Sequence, residues 1–216
     1  HLRKVGIHVG EDVTIYAPTK TFIDEQYPWM ISIGSHVRIT EGVKILTHDY
    51  SWSVLKLAHT PNKGAIFGAS GEVYIGNNVF IGMNSIITRN VRIEDNVIIG
   101  AGSGVTKNCK KNSVYAGNPA KYIMSVEEYT EKREKLQFIE AKKLVRMYYD
   151  RYGCYPKEEL LDEYFMIFSR NTELHPNFRR KISLCENSQD SIRYMNEHKP
   201  MFGNYHNFLE ECFRDK

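Results

Sequence analysis

Aliphatic residues recur at every sixth position through the middle of the chain. In each block a glycine or a polar residue follows, and the aliphatic series is Ile75, Ile81, Ile87, Ile93, Ile99 and Val105. A period of six is neither the 3.6 of an α-helix nor the two of a single strand. It predicts a solenoid in which each block is one short strand and one corner, with the aliphatic residues of successive coils stacked inside.

The same phase extends towards the N-terminus, with two interruptions. The residues on it are Val9, Ile15, Ile33, Ile39 and Ile45, so we expect the coils to begin near the start of the chain. Between residues 15 and 33 the pattern is irregular, which predicts one coil with residues bulging from its corners. The repeat is absent over residues 48–71, and a break of this length predicts an inserted loop.

The residues after the repeats are helix formers rich in aromatic side chains. Ser125 and Glu128 form a capping box, which predicts a long helix from Ser125 that ends at Gly153. A second helix is predicted after Pro156, and shorter ones over residues 188–197 and 205–213. The chain therefore divides into a β-helix domain, residues 1–121, and a helical C-terminal extension, residues 122–216. The expected fold class is mainly β.

Composition narrows the classes of function. A formal net charge of +3 is too small to indicate a nucleic-acid partner, and no apolar run is long enough to span a membrane. The four cysteines are widely spaced and form no CxxC pair, which is typical of reduced thiols. No signal-peptide pattern opens the chain. We therefore expect a cytoplasmic protein.

The repeats and two flanking strings resemble the hexapeptide-repeat acyltransferases, closest in type to the maltose, galactoside and capsule-polysaccharide O-acetyltransferases. One string is Ile45 to Asp49, where the coil meets the loop; the other runs from Gly100 to Lys107 and continues at Ala116 to Lys121. The resemblance implies a left-handed parallel β-helix with three hexapeptides per coil. It also implies acetyl-CoA as co-substrate without a metal, and a homotrimer whose active sites lie between subunits.

The resemblance gives His48 the role of general base in acyl transfer. Imidazole titrates near working pH, so it can take the proton of an acceptor hydroxyl. The neighbouring Asp49 is a candidate for orienting the ring. The backbone N–H of Met83 is the expected donor to the oxyanion, a task that needs only geometry.

The expected acetyl-CoA contacts combine small residues with lysines. Small side chains let the pantetheine approach the backbone, and lysine supplies charge for the phosphates. Phe80 stands where relatives often have tryptophan, and would help to wall the thioester site. The expected cofactor-binding residues are Phe80, Ala101, Gly102, Ser103, Thr106, Lys107, Pro119 and Lys121.

The acceptor side departs from the galactoside and maltose enzymes. Those enzymes commonly have a Tyr-Ala-Asn string thirty residues before the histidine, whereas this chain has Tyr16, Ala17 and Pro18. Proline has no side-chain amide, so this departure favours another glycan, such as a surface polysaccharide or its precursor. The candidate acceptor contacts are Asp24, Glu25, Tyr50 and Trp52.

Other functions are open to a chain of this kind. An N-acetyltransferase on an amino-sugar nucleotide would use the same coil and co-substrate. A serine acetyltransferase usually carries its helical domain before the coil. A γ-type carbonic anhydrase needs three zinc-binding histidines, and the coil repeats supply only His36 and His48. A non-catalytic β-helix scaffold would need neither the junction histidine nor the lysines. The sequence favours O-acetylation of a sugar.

Overall fold

The structure, a computed structural model, describes residues 1–214. The described chain forms two compact units, His1–Thr130 and a second unit that begins at Glu131. The first unit is built from coils of short strands, and the second is helical. The coil unit extends past the expected limit of residue 121 because its last strand runs to Ser125.

Three strands make up each complete coil of the first unit. A short helix α1 (Leu2–Val5) precedes them. In chain order the strands are β1 (His8–Val9), β2 (Thr14–Ile15), β3 (Phe22–Ile23), β4 (Ile31–Ile33), β5 (Arg38–Ile39), β6 (Lys44–Ile45), β7 (His48–Asp49), β8 (Ala69–Ser70), β9 (Val73–Ile75), β10 (Val79–Ile81), β11 (Ile86–Ile87), β12 (Val91–Ile93), β13 (Val97–Ile99), β14 (Gly104–Val105), β15 (Ser113–Ala116) and β16 (Lys121–Ser125).

The coils stack into a parallel β-helix with three faces. Sheet A contains β1, β4, β9 and β12, sheet B contains β2, β5, β10, β13, β15 and β16, and sheet C contains β3, β6, β11 and β14. Every pairing within them is parallel except β15 with β16. In the regular coils Asn78 contacts Asn96, 18 residues on, which corresponds to three hexapeptides per coil. The sixfold aliphatic series lies inside, at no more than 1% exposure from Ile75 to Val105.

The two interruptions of the repeat lie at corners. The irregular coil contains short 3-10 turns at Pro18–Lys20 and Pro28–Met30. The longer interruption is a loop that leaves after β6 and is closed at its base by the antiparallel pair β7 and β8. The loop contains a short helix, α2 (Trp52–Leu57), so it is partly ordered by its own backbone hydrogen bonds.

The second unit contains most of the long helix and three shorter ones. The helices are α3 (Val126–Tyr152), α4 (Pro176–Ile182), α5 (Ser188–Glu197) and α6 (Tyr205–Phe213). The capping box at the start of α3 is confirmed: Glu128 N–H donates to Ser125 Oγ at 3.0 Å, and Ser125 N–H donates to the Glu128 carboxylate at 2.6 Å.

The helix predicted after Pro156 is wrong. The structure has two 3-10 turns there, Glu158–Leu161 and Phe165–Ile167. Phe165, Ile167 and Phe168 are all buried, and an α-helix would point Ile167 away from the face shared by Phe165 and Phe168. The sequence prediction also missed α4, whose signal is a proline at the first helical position.

Gly34 permits two coils to approach closely at a corner. A Cβ built there would lie 2.6 Å from Gly76 O and 2.7 Å from Gly76 C, both backbone atoms of the next coil. These atoms can move only if the coils separate. We therefore expect Gly34→Ala to lower the free energy of unfolding by about 1–3 kcal/mol.

Gly68→Ala is the matched control, because a Cβ at Gly68 would meet nothing within 4 Å. Urea unfolding followed by circular dichroism measures both variants. Equal stability of the two variants would contradict the close contact between the coils.

Candidate active site

His48 lies where the chain leaves sheet C for the inserted loop. Its Nδ1 atom is 2.6 Å from Oδ2 of Asp24, and its side chain is 19% exposed. Asp24 follows β3, which pairs with β6 in the next coil, and Asp24 N–H donates to Ile45 O at 3.0 Å. Coil stacking therefore brings these two side chains together although 24 residues separate them.

Asp24 is buried, at 2% exposure, and both of its carboxylate oxygens accept hydrogen bonds. Its Oδ2 accepts hydrogen bonds from Thr47 N–H at 3.0 Å and from the Thr47 hydroxyl at 2.5 Å, and its Oδ1 accepts from Gln26 N–H at 3.0 Å. Burial alone would raise the pKa of Asp24, but the hydrogen bonds from Thr47, Gln26 and His48 outweigh it and hold the pKa below 3.8.

An ionised Asp24 fixes the tautomer of His48. A carboxylate without a proton can only accept, so Nδ1 of His48 must carry the hydrogen that lies between them. The lone pair of the ring is then on Nε2, the nitrogen that is not bonded to Asp24. This arrangement gives a base whose orientation is set by a buried carboxylate.

The structure corrects two expectations about carboxylates. Asp24 is too buried to contact an acceptor and faces His48 instead. Asp49, the expected orienting group, accepts from Ser51 N–H at 2.9 Å and from Arg89 Nε at 3.0 Å. The bonds from Ser51, followed by that from Arg89, lower the pKa of Asp49 to about 2. The signal that could have identified Asp24 was its stacking position, since Ile23 and Ile45 pair across coils.

A cavity of about 450 Å³ opens beside His48. Its other lining residues are Leu46, Asp49, Thr88, Arg89, Asn90 and Thr106. They follow β6, β11 and β14, so they gather at the edge of sheet C where its parallel strands end. Thr106 was expected to border the co-substrate, and the exposed Lys107 follows it. Arg89 and Asn90 were not anticipated.

Met83 and its neighbours lie at the other edge of the same sheet. Met83 precedes β11, and its carbonyl accepts from Gly102 N–H at 2.7 Å, so Met83 and the Ala101–Gly102 corner are stacked. Met83 is 47% exposed, and Phe80, on sheet B, is 40% exposed. Within one chain, these residues are therefore separated from His48 by the width of sheet C.

The string from Gly100 to Lys107, with its continuation at Ala116 to Lys121, contains both buried and exposed residues. Ser103 is 1% exposed; its hydroxyl donates to Gly100 O at 2.6 Å and accepts from Gly117 N–H at 3.2 Å. Ser103 was expected to contact the co-substrate. Its buried hydroxyl instead links two corners of the coil by hydrogen bonds. Pro119 and Lys121, in contrast, are exposed.

Aromatic side chains surround the histidine. Tyr50 and Trp52 were expected near the acceptor, and Tyr50 is 65% exposed beside His48. Tyr27 and Trp29, from the irregular coil, join them and were missed by the sequence reasoning. Glu25, another expected acceptor contact, is exposed, with its carboxylate 2.8 Å from His1 Nε2.

The family model for the bacterial transferase hexapeptide (six repeats) matches residues 72–107. The chain is 42% identical over 131 residues to Protein CapG of Staphylococcus aureus, covering 61% of this chain and 73% of CapG. The chain belongs to the hexapeptide-repeat acetyltransferase family. It is also 34% identical to the galactoside O-acetyltransferase of Escherichia coli (strain K12), covering 57% of this chain but only 56% of that enzyme.

Among solved structures, a maltose O-acetyltransferase from Clostridium difficile 630 matches with 28% identity and a TM-score of 0.44, over 57% of this chain and 72% of the other.

The predictions of family, of a left-handed parallel β-helix with a helical extension, and of an acyltransferase are confirmed. Among the described residues, no helix combines the length and apolar character that crossing a membrane requires.

Proposed function

We propose that this protein is an O-acetyltransferase that moves an acetyl group from acetyl-CoA to a hydroxyl of a sugar or surface-polysaccharide precursor. The observation that carries the proposal is the 2.6 Å hydrogen bond between His48 Nδ1 and the buried Asp24 carboxylate. His48 Nε2 takes the proton of the acceptor hydroxyl, and the oxygen attacks the thioester carbonyl. The imidazolium then returns the proton to the departing thiolate.

Residues at both edges of sheet C, together with Lys121 on β16, fit acetyl-CoA. The corner at Ala101 and Gly102 is exposed, and a Cβ on Gly102 would meet nothing within 4 Å, which leaves room for an extended pantetheine. Lys107 and Lys121 are exposed and able to meet phosphates. The backbone N–H of Met83 is the proposed donor to the oxyanion.

The separation of these residues from His48 supports a homotrimer. If one subunit places its Met83 edge against the His48 edge of the next, each site is completed by a neighbour, and threefold repetition closes the ring. The inserted loop exposes apolar side chains that such a contact would cover; among them Val54 is 69% exposed and Leu57 is 73% exposed.

We therefore expect a particle of roughly 75 kDa, three times the 25.1 kDa chain. Sedimentation at micromolar concentration, with and without acetyl-CoA, measures the mass. A fully active monomer would show that one chain builds the whole site.

Lys107→Ala and Lys121→Ala should each weaken the binding of CoA about 10-fold, because a charge-assisted hydrogen bond to phosphate is lost at a partly screened site. Calorimetry with CoA and dephospho-CoA measures the effect and identifies which lysine meets the 3′-phosphate. Lys199→Ala, an exposed lysine of α5's C-terminal flank, is the control. Unchanged affinity in both variants would remove these lysines from the site.

The function itself is tested by acetyl transfer to a panel of glycosides, amino-sugar nucleotides and serine. Transfer to a sugar hydroxyl supports the proposal, and mass spectrometry of the product locates the ester. Transfer to an amine alone would establish the N-acetyltransferase instead. A wild-type protein that binds acetyl-CoA but transfers nothing to any acceptor in the panel would contradict the proposed acceptor class.

A further inference from the structure

Four aromatic rings form a continuous surface through the imidazole of His48. Ring centroids are 5.7 Å apart for Tyr27 and Trp29, 5.7 Å for Tyr27 and His48, 5.9 Å for His48 and Tyr50, and 5.7 Å for Tyr50 and Trp52. We call Tyr27, Trp29, Tyr50 and Trp52 the aromatic surface. Two of its rings thus touch the proposed base directly, and the other two extend it outward.

The outer part of this surface is open to solvent. Trp29 is 72% exposed and Tyr50 is 65% exposed, although both carry large apolar faces. Scattered exposed apolar residues are ordinary, but a contiguous aromatic group beside a polar reactive side chain is typical of a ligand site. The imidazole itself is mostly covered, and Tyr27 and Tyr50 are part of that cover.

Local structure holds the rings in place without a ligand. Tyr27 and Trp29 flank Pro28 in a 3-10 turn, where Met30 N–H donates to Tyr27 O at 2.9 Å. Tyr50 follows Asp49, which is fixed by Arg89 at 3.0 Å. Ser53 N–H donates to Tyr50 O at 3.0 Å and starts the helix that carries Trp52. The surface is therefore preorganised, which lowers the entropy cost of binding.

We propose that the aromatic surface binds a saccharide acceptor by stacking pyranose faces on its exposed rings, on Tyr50 beside His48 and on Trp29 beyond Tyr27. This inference rests on the proposed function and identifies the side chains that hold the acceptor at the same site. A pyranose combines an apolar face of C–H groups, which suits an aromatic face, with hydroxyls at its rim, one of which can point to Nε2. A small amino-acid alcohol such as serine has no face that would cover these rings. Arg89, which lines the cavity beside His48, can donate to one of the remaining hydroxyls.

Fluorescence gives a binding test that is independent of turnover. The chain has only two tryptophans, Trp29 and Trp52, and both belong to the aromatic surface. In Trp52→Phe, Trp29 is the one tryptophan that remains, so it dominates the emission. We expect methyl pyranosides and oligosaccharides to change its emission in a saturable way, without acetyl-CoA present. Uridine monophosphate, which offers a base but no pyranose, should not.

Steady-state kinetics give a second test, in which KM for the glycoside is compared with KM for acetyl-CoA. Trp29→Ala and Tyr50→Ala should raise KM for the glycoside about 10-fold while KM for acetyl-CoA stays within about twofold. Trp29→Phe should retain most of the affinity, because it keeps an aromatic face. Tyr194→Ala, which removes a 48% exposed tyrosine from α5, is the matched control.

Three results would overturn the inference. One is an unchanged glycoside KM in both alanine variants with transfer intact, which leaves the proposed function standing. Another is an emission change with uridine monophosphate but not with glycosides, which makes the surface a nucleobase site. The third is a lower sedimentation mass for Trp29→Ala, which shows that a second copy covers the surface. Saturable glycoside binding without any transfer would instead contradict the proposed function alone.

Discussion

His48→Ala should lower the turnover number about 10²–10⁴-fold, the usual contribution of a general base. The proposed acceptor is a neutral hydroxyl, a poor nucleophile until its proton is removed. His48 is the side chain whose Nε2 lone pair is oriented for that task by the 2.6 Å bond from Nδ1 to Asp24. Without the imidazole, water must take the proton from an acceptor that is bound in the same place.

The affinity for acetyl-CoA should be nearly unchanged in His48→Ala, because the proposed contacts to the co-substrate come from other residues. Calorimetry and steady-state kinetics separate the two quantities. His8→Ala, an exposed histidine on sheet A, is the control and should behave as wild type. Near-normal turnover in His48→Ala would exclude His48 as the base, even if transfer to sugars is established.

The coil was predictable because its signal repeats. Each of the residues from Ile75 to Val105 on the sixfold phase faces the same interior, so one pattern recurs in every block and no single side chain decides it. The handedness could not be read from spacing and came only through the family resemblance. The helix after Pro156 was mispredicted for the opposite reason: Phe165, Ile167 and Phe168 are buried by tertiary packing that local propensity does not contain.

The position of a candidate site residue was predictable where that residue lies at a junction of the fold. His48 marks the junction between coil and loop, and Thr106 follows the end of a strand at the same edge of sheet C. The partner of the histidine was harder to find. Asp49 is adjacent in sequence, but neighbouring side chains of a strand point to opposite sides, whereas Asp24 lies one irregular coil away on the same side. Residues contributed by an irregular coil, such as Trp29, have no periodic signal.

Asp24→Asn should reduce turnover nearly as far as His48→Ala, by about 10²–10⁴-fold. Both carboxylate oxygens of Asp24 accept backbone N–H groups, Oδ1 from Gln26 and Oδ2 from Thr47. An asparagine must place its NH₂ group against one of these donors. If the NH₂ takes the position of Oδ2, it donates to Nδ1 of His48 and forces the ring proton onto Nε2, where the base is needed unprotonated.

Two measurements separate this positioning role from a merely structural one. The double variant Asp24→Asn, His48→Ala should be no slower than His48→Ala alone, because residues that act as a unit are not additive. Additive losses would contradict the coupling. Glu41→Gln, which changes a partly exposed carboxylate paired with Lys20 at 2.7 Å, is the control and should change neither turnover nor the coupling.

The free energies of unfolding of wild type and of Asp24→Asn should also depend differently on pH. The pKa of Asp24 is lowered from 3.8 in the folded chain, so ionised Asp24 stabilises the fold fully above that value. That stabilisation is lost as pH falls through the lowered folded pKa, and Asp24→Asn has no such group to lose. Urea unfolding between pH 7 and pH 3 should therefore show the stability difference between wild type and Asp24→Asn shrinking only below about pH 4. A difference that stays constant down to pH 3 would mean that Asp24 is not held ionised by Thr47, Gln26 and His48, and the fixed tautomer of His48 would lose its cause.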